Sequence, residues 1–457
     1  YIHENGAALP YKEGISYEEG AVVVKDGMLQ QWKGGVWVDV SSQEVKKYLL
    51  AAGIDEPELD SEYDFLMQRL AQIAVDKRLD ASFVVDASGK TQQEINGLIG
   101  NPLMFGAKGD GVFDDTLAIQ ECANKFRYLD MRNGNWKTTG KIALRSGTVV
   151  DLRGSYLSAN NANEPIFEFE NAGSGLSILG GGGYVYGTAD SFLKCTGKTY
   201  RPTMQTDYAN RIRLDGLHVS GENIDKFLDF DKAVRQIFLT HVFSYTKNGI
   251  FCNGKCVEFE IYGSLIYGAK GTTDLTTYGI KYRSPGNGRW YNEGLHITDS
   301  TIDNFGITFD ITDIYAMSVT GGHIGAAIQA DGYNASGALV AKFGQPTSTS
   351  CRDIKFANVN IYGNIEFAPV GGLDYQAKFT GCSSEAFSNG AITIRNNASH
   401  ICVSDHTFHS SFNGVGVLGI SNNPNITVDG ISADSSLVGV VHLRGANSNN
   451  CLVANIT

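Results

Sequence analysis

Ile354-Lys-Phe-Ala-Asn-Val-Asn360 and Ile426-Thr-Val-Asp-Gly-Ile-Ser432 share one pattern: apolar residues at alternate positions, then Gly, Asn or Asp where the chain must turn. Eight more segments stand in the same register: Leu176–Tyr186, Ile212–Ser220, Ile237–Ser244, Val257–Leu265, Leu295–Ile302, Met317–Ile324, Ala377–Ser384 and Ile401–Phe408. An incomplete copy, Cys451–Thr457, follows the last. Their starts lie 20 to 25 residues apart, except for three steps of 36–38. Period-two alternation reads as strands. Recurrence every twenty-odd residues reads as a solenoid, in which each unit buries its apolar face against the next copy.

A second set of strands interleaves with the first, among them Pro165–Glu170, Phe227–Asp231, Gly279–Arg283, Gly306–Asp310 and Gly390–Arg395. Two strands per coil, with Gly or Asn at sharp corners, predict an all-β parallel β-helix of about 10–11 coils. The 54 glycines among 457 residues suit so many corners. A β-propeller would need blades of roughly 40–45 residues with four strands each, which this spacing does not supply.

The net charge of −12 argues against nucleic acid as a partner. No apolar run approaches the roughly 20 residues of a membrane span, so no membrane insertion is expected. Eight cysteines (122, 195, 252, 256, 351, 382, 402 and 451) are scattered through the coils. Cys252 and Cys256 lack the second pair or histidine spacing of a zinc site. The cysteines read as reduced core residues of a protein assembled in cytoplasm, and no metal or other cofactor is expected. The chain stops on a strand, which leads us to expect a further C-terminal region.

Residues 1–40 read as a small β module, with hairpin signals at Asp26-Gly27 and Gly34-Gly35. Residues 41–80 switch to helical periodicity. Ser41 and Glu44 fit a capping box, and Leu59, Tyr63, Leu66, Leu70 and Ile73 step by 4, 3, 4 and 3 residues, the seam of a short oligomer neck. Residues 81–103 form a linker and residues 104–457 the β-helix. An amphipathic helix over Asp114–Phe126, with Asp114 or Asp115 at its N-cap, stands where a solenoid's open apolar end needs a cover.

Phe105-Gly-Ala-Lys-Gly-Asp-Gly-Val-Phe-Asp-Asp-Thr116, followed by Ala118-Ile-Gln120, resembles the entry motif of the pectate-lyase-like right-handed parallel β-helix superfamily. With the β module, the neck and Ser82–Ile95 ahead of it, the chain resembles bacteriophage tailspike depolymerases. That resemblance implies a homotrimer on the virion, at the phage tail. Its N-terminal module would dock to tail or baseplate proteins, and its β-helix would cut a bacterial surface polysaccharide, capsule or lipopolysaccharide. The polygalacturonase signature of the same fold does not match: Arg211-Ile-Arg213 and Gly322-His323 occur in the wrong order. Tailspikes share no catalytic motif, so the resemblance implies no particular catalytic residue.

Candidate residues follow instead from strand geometry. Alternate side chains face outward, and neighbouring coils lie about 4.8 Å apart. On the first strand set, Glu258, Glu260 and His296 then meet on one surface, with Tyr262 pointing the same way. Paired carboxylates can act as acid and base in glycosidic cleavage. The long steps place extra residues at about 196–210, 284–294 and 332–352, where loops would wall a groove. They offer Trp290, Tyr291 and Tyr208 for stacking on sugars and Glu293 as a further carboxylate. On the second strand set, Asp229, Asp231, Asn253, Lys281, Arg283, Thr308 and Asp310 face outward. There Asp310 is a fallback acid or the ion-pair partner of Arg283. Lys281 and Arg283 would instead suit a lyase, which neutralises a uronate and removes its C5 proton. The favoured expectation is hydrolysis by Glu258 and Glu260. The alternatives are β-elimination of an acidic polymer and a non-cleaving adhesin.

Overall fold

The computed structural model describes residues 9–10, 22–25 and 28–39, and then residues 99–457 apart from 199–207, 270–273, 284–291, 328–337, 345–350, 368–374, 386–389, 397–399, 410–414, 422–424, 434–438 and 444–449. Two compact units result, Tyr1–Gly97 and Leu98–Thr457. The second opens at Leu98, a few residues before the boundary expected at 103/104.

In the first unit, Leu9–Pro10, Val22–Lys25, Met28–Lys33 and Val36–Asp39 form one sheet. Its strands pair at Lys25↔Met28 and at Lys33↔Val36, the latter around Gly34-Gly35. Trp32 and Trp37 face each other across the second hairpin, with ring centroids 5.0 Å apart. The expected neck at 41–80 and linker up to residue 98 lie outside the described residues.

The second unit is a parallel β-helix of about 11 coils. It has three parallel sheets rather than the expected two. The first sheet is 14-stranded and includes Val234–Thr240, Cys256–Tyr262, Asn292–Thr298 and Ile314–Thr320. Leu265–Gly268, Thr301–Phe305 and His323–Ala326 belong to the second, and Tyr278–Tyr282, Ile307–Ile311 and Leu339–Phe343 to the third. In earlier coils one long strand, such as Tyr184–Thr196, His218–Asp231 or Phe243–Asn253, serves both second and third sheets. The register between such strands slips at the corner, for instance between Gly221 and Lys226.

The reason for the missed sheet is local. In most coils the first-to-second corner turns on a single left-handed residue, among them His241 (φ 50°), Asp299 (47°), Asn358 (56°) and Asp405 (51°). One such residue barely interrupts the apolar rhythm, so each repeated segment reads as one strand although it spans two sheets. The strand Leu339–Phe343 also divides the third long step, so its added residues fall at two corners.

A second left-handed column runs within the first sheet: Arg211, Gln236, Glu258, Ala316 and Asp353, with φ between 53° and 61°. Each drops out of the inter-coil register, as Glu258 does between Val257↔Glu293 and Phe259↔Leu295. These are stacked β-bulges, one extra residue per strand.

Inside, stacked rings fill the coils. Phe343 and Phe367 lie 4.9 Å apart at 14°, and Phe356 and Phe379 4.9 Å apart at 9°. Each fully buried phenylalanine contributes roughly 1.5–3 kcal/mol. At the first coil, helix Thr116–Lys125 buries Ala118, Ile119, Cys122 and Ala123. Its N-cap, Asp115, is fully buried and turns its carboxylate back onto the amides of Lys108 and Gly109, while Asp114 accepts from the Thr116 amide. Gly111 (φ 75°) lies against Asn135, whose amide a Cβ would strike at 2.5 Å. The entry motif is therefore a turn folded around one buried aspartate.

Candidate active site on the flank of the β-helix

Glu260 lies in register beside His296 of the next coil, and His296 beside Ser318 of the coil after. The imidazole Nδ1 lies 2.7 Å from Ser318 Oγ, which fixes the ring. Glu258, Glu260 and Tyr262 are all exposed. Glu258 does not follow the simple alternation, however. Two residues, Val257 and Glu258, separate the buried Cys256 and Phe259, because Glu258 is the bulged residue with φ 57°. The carboxylates of Glu258 and Glu260 are therefore not related as an ordinary i,i+2 pair. Gly294 stacks on that bulge: a Cβ there would lie 3.5 Å from Glu258 Cα and 3.6 Å from His296 Nε2. His296 Nε2 therefore lies near Gly294, the residue stacked on Glu258.

Glu293 is paired with Lys255 at 2.9 Å. The lysine is buried and the glutamate half exposed. Trp290 and Tyr291 lie outside the described residues. Tyr208, expected to stack on sugar, is only 7% exposed, with the Arg235 guanidinium 5.2 Å from its ring centroid. Its ring is used by the fold.

The third sheet carries the other candidates. Asp310 is 2% exposed, and both of its oxygens are taken by Arg283, one at 3.0 Å from Nη1 and the other by Nη2. Arg283 Nη1 also donates to Thr312 Oγ1 at 3.0 Å. Arg283 thus holds Asp310 in the expected ion pair, and the carboxylate is buried. Lys281 lies next to Asp310 in register, its ammonium 3.7 Å from the Tyr278 ring centroid. Burial, then the charge of Arg283, lowers its pKa. Asp231 is half exposed and pairs in register with Asn253.

Asp229 and Thr308, expected to face outward, are both buried. Asp229 is 8% exposed, its Oδ1 has no hydrogen-bond partner among the described residues, and burial raises its pKa. Lys226 Nζ lies 3.7 Å from Asp229 Oδ2, 3.3 Å from Asp225 Oδ2 and 2.9 Å from Asp190 Oδ1. Asp190 comes from the coil before, 36 residues away, at a corner where the register slips. Nothing in the local sequence announces that meeting.

Among the described residues, no three His, Cys, Asp or Glu side chains are placed to hold a metal ion. All eight cysteines are free, six of them buried. Among the described residues, no helix is long and apolar enough to cross a membrane.

No protein-family model matches the sequence, and no curated protein matches it. Solved structures do match. Tailspike protein 3 of bacteriophage CBA120 superposes with a TM-score of 0.54 at 12% identity, over 95% of this chain and 75% of that one. The tailspike of E. coli bacteriophage HK620, as a point mutant in complex with a pentasaccharide, gives 0.51 at 10% identity, over 80% and 72%. The A-module of the Azotobacter vinelandii mannuronan C-5 epimerase AlgE4 gives 0.52 at 12% identity, over 77% and 99%. The likeness is one of fold. The chain shares the parallel β-helix fold of these proteins.

Proposed function

We propose that this chain is a tailspike-type depolymerase that binds a bacterial surface polysaccharide along its flank and cleaves it internally. Glycoside hydrolysis, with Glu258 and Glu260 as the carboxylate pair, is the reading supported best. One observation carries it: Glu260 sits in register beside His296, which Ser318 orients, with Glu258 exposed on the same strand as Glu260. One carboxylate would protonate the glycosidic oxygen while the other engages the anomeric carbon or the attacking water. Exposed Tyr262 would stack on a sugar ring, and Trp290, Tyr291 and Glu293 would flank it. Homotrimeric assembly, a place on the phage tail and docking through the N-terminal module belong to the same proposal.

Tailspikes among the fold neighbours, one of them bound to a pentasaccharide, support this reading. Replacing Glu258 and Glu260 together by Gln should abolish the release of new reducing ends while the oligomer persists. Full activity in that variant would overturn the site.

A second reading rests on Lys281. An amine with a lowered pKa beside Tyr278 and Arg283 is placed to remove a proton from a uronate. In that case the products would carry the ultraviolet absorbance of an unsaturated uronate, which hydrolysis does not generate. An adhesin would leave polymer length unchanged.

A further inference from the structure

On the outer face of the second sheet, one register column reads Tyr156, Tyr184, His218, Phe243 and Leu265 on successive coils. The rings touch in sequence: Tyr184 lies 6.3 Å from Tyr156 and 4.5 Å from His218, and His218 lies 4.4 Å from Phe243. Two residues further along the same strands stand Tyr186, Tyr245 and Tyr267. Inward neighbours such as Val185, Val219 and Ile266 are buried, so these rings face out, Tyr156 at 55% exposure and Leu265 at 41%. Burial lowers the pKa of His218. Four steps of about 4.8 Å make a strip about 19 Å long.

The strip leads directly into a cleft. Continuing the outward alternation past Tyr186 and Tyr245 gives Thr188 and Lys247, which line a cleft of about 470 Å³ together with Glu222, Asn223, Asp225 and Asp274. Lys226 ties this cleft to Asp190 and to the buried Asp229, whose Oδ1 has no partner among the described residues. Five carboxylates (Asp190, Glu222, Asp225, Asp229, Asp274) thus stand against two ammonium groups (Lys226, Lys247).

We infer that the aromatic strip and its cleft form a glycan-binding track, separate from the Glu258–Glu260 patch, for a polysaccharide that is neutral or carries amino sugars. Flat rings with polar tips suit the apolar faces of sugars, the clustered carboxylates accept hydrogen bonds from hydroxyls, and Asn223 can both accept and donate. The excess of negative charge disfavours a polyuronate. This deepens the proposed function and rests on it.

The test uses the full-length oligomer and a panel of purified capsular and O-antigen polysaccharides, some neutral and some uronate-containing. Binding is measured for the wild type and for two double variants, Tyr184→Ala with Tyr245→Ala, and Glu258→Gln with Glu260→Gln. The track predicts that a neutral or amino-sugar polymer binds the wild type. It predicts at least tenfold weaker binding in the tyrosine variant, with thermal midpoint and oligomeric state kept. Equal binding by wild type and tyrosine variant overturns the track alone. So does selective binding of polyuronates, or dissociation of the oligomer on tyrosine replacement, which would make the strip a face between copies of this chain. A wild type that neither binds nor shortens any polymer defeats the proposed function itself.

Discussion

Glu258 and Glu260 show what a residue pattern can and cannot tell. That Glu260 and His296 lie side by side was legible, because apolar Phe259 and Leu295 set the register of adjoining coils. The left-handed bulge at Glu258 was not, since an exposed glutamate there reads like any outward strand residue. The Arg283–Asp310 pair was expected as well, although Lys281 stands beside Asp310 in register and Arg283 reaches it from two residues further along. The burial of Tyr208 under Arg235 was not, because it depends on contacts beside a long connection. His406 gives a residue-scale prediction. It is fully buried, bonded through Nε2 to Ser384 Oγ at 2.9 Å, and burial lowers its pKa to about 3. The unfolded histidine titrates near 6.5, so the folded state gains stability from this neutral ring that is complete above pH 6.5 and is lost as pH falls towards 3. The cost at pH 5 is about 2 kcal/mol. Denaturant melts between pH 7 and 5 should show that decline, and His406→Gln should flatten it. An unchanged slope would contradict the assignment.

At the scale of the element, the corners decide what the sequence reveals. Coil period, parallel pairing and the inward stacks were legible because burial imposes strict alternation. The third sheet was not, because a one-residue left-handed corner and a slipped register leave no gap in the pattern. Gly187 marks such a slip. It has φ 114°, and a Cβ there would lie 2.1 Å from the Ala159 carbonyl oxygen. Gly187→Ala should therefore destabilise by about 3 kcal/mol, read as a fall in the denaturation midpoint. A neutral effect would mean that the coil beneath can shift to make room. The buried Asp115 makes the same point for the entry motif: its two backbone acceptor contacts explain why paired aspartates follow the glycines.

For the whole molecule, the repeat was enough to identify a β-helix, while the proposed function depends on which flank would bind and cut. The first sheet sets Glu260 beside His296, with Glu258 exposed on the same strand as Glu260. The second-sheet strip and its cleft add an extended surface assembled from residues about 20 to 40 positions apart, which no local motif encodes. A rod of stacked coils suits a polymer that must be held over several units and cut within the chain. The most direct test of that claim is mass spectrometry of the material released when the protein is incubated with a panel of capsules and lipopolysaccharides. The account predicts a short ladder of oligosaccharides with new reducing ends and saturated non-reducing ends from one polymer of the panel, and none from the Glu258→Gln, Glu260→Gln protein. Intact polymer throughout, or the same ladder from the double variant, would contradict it.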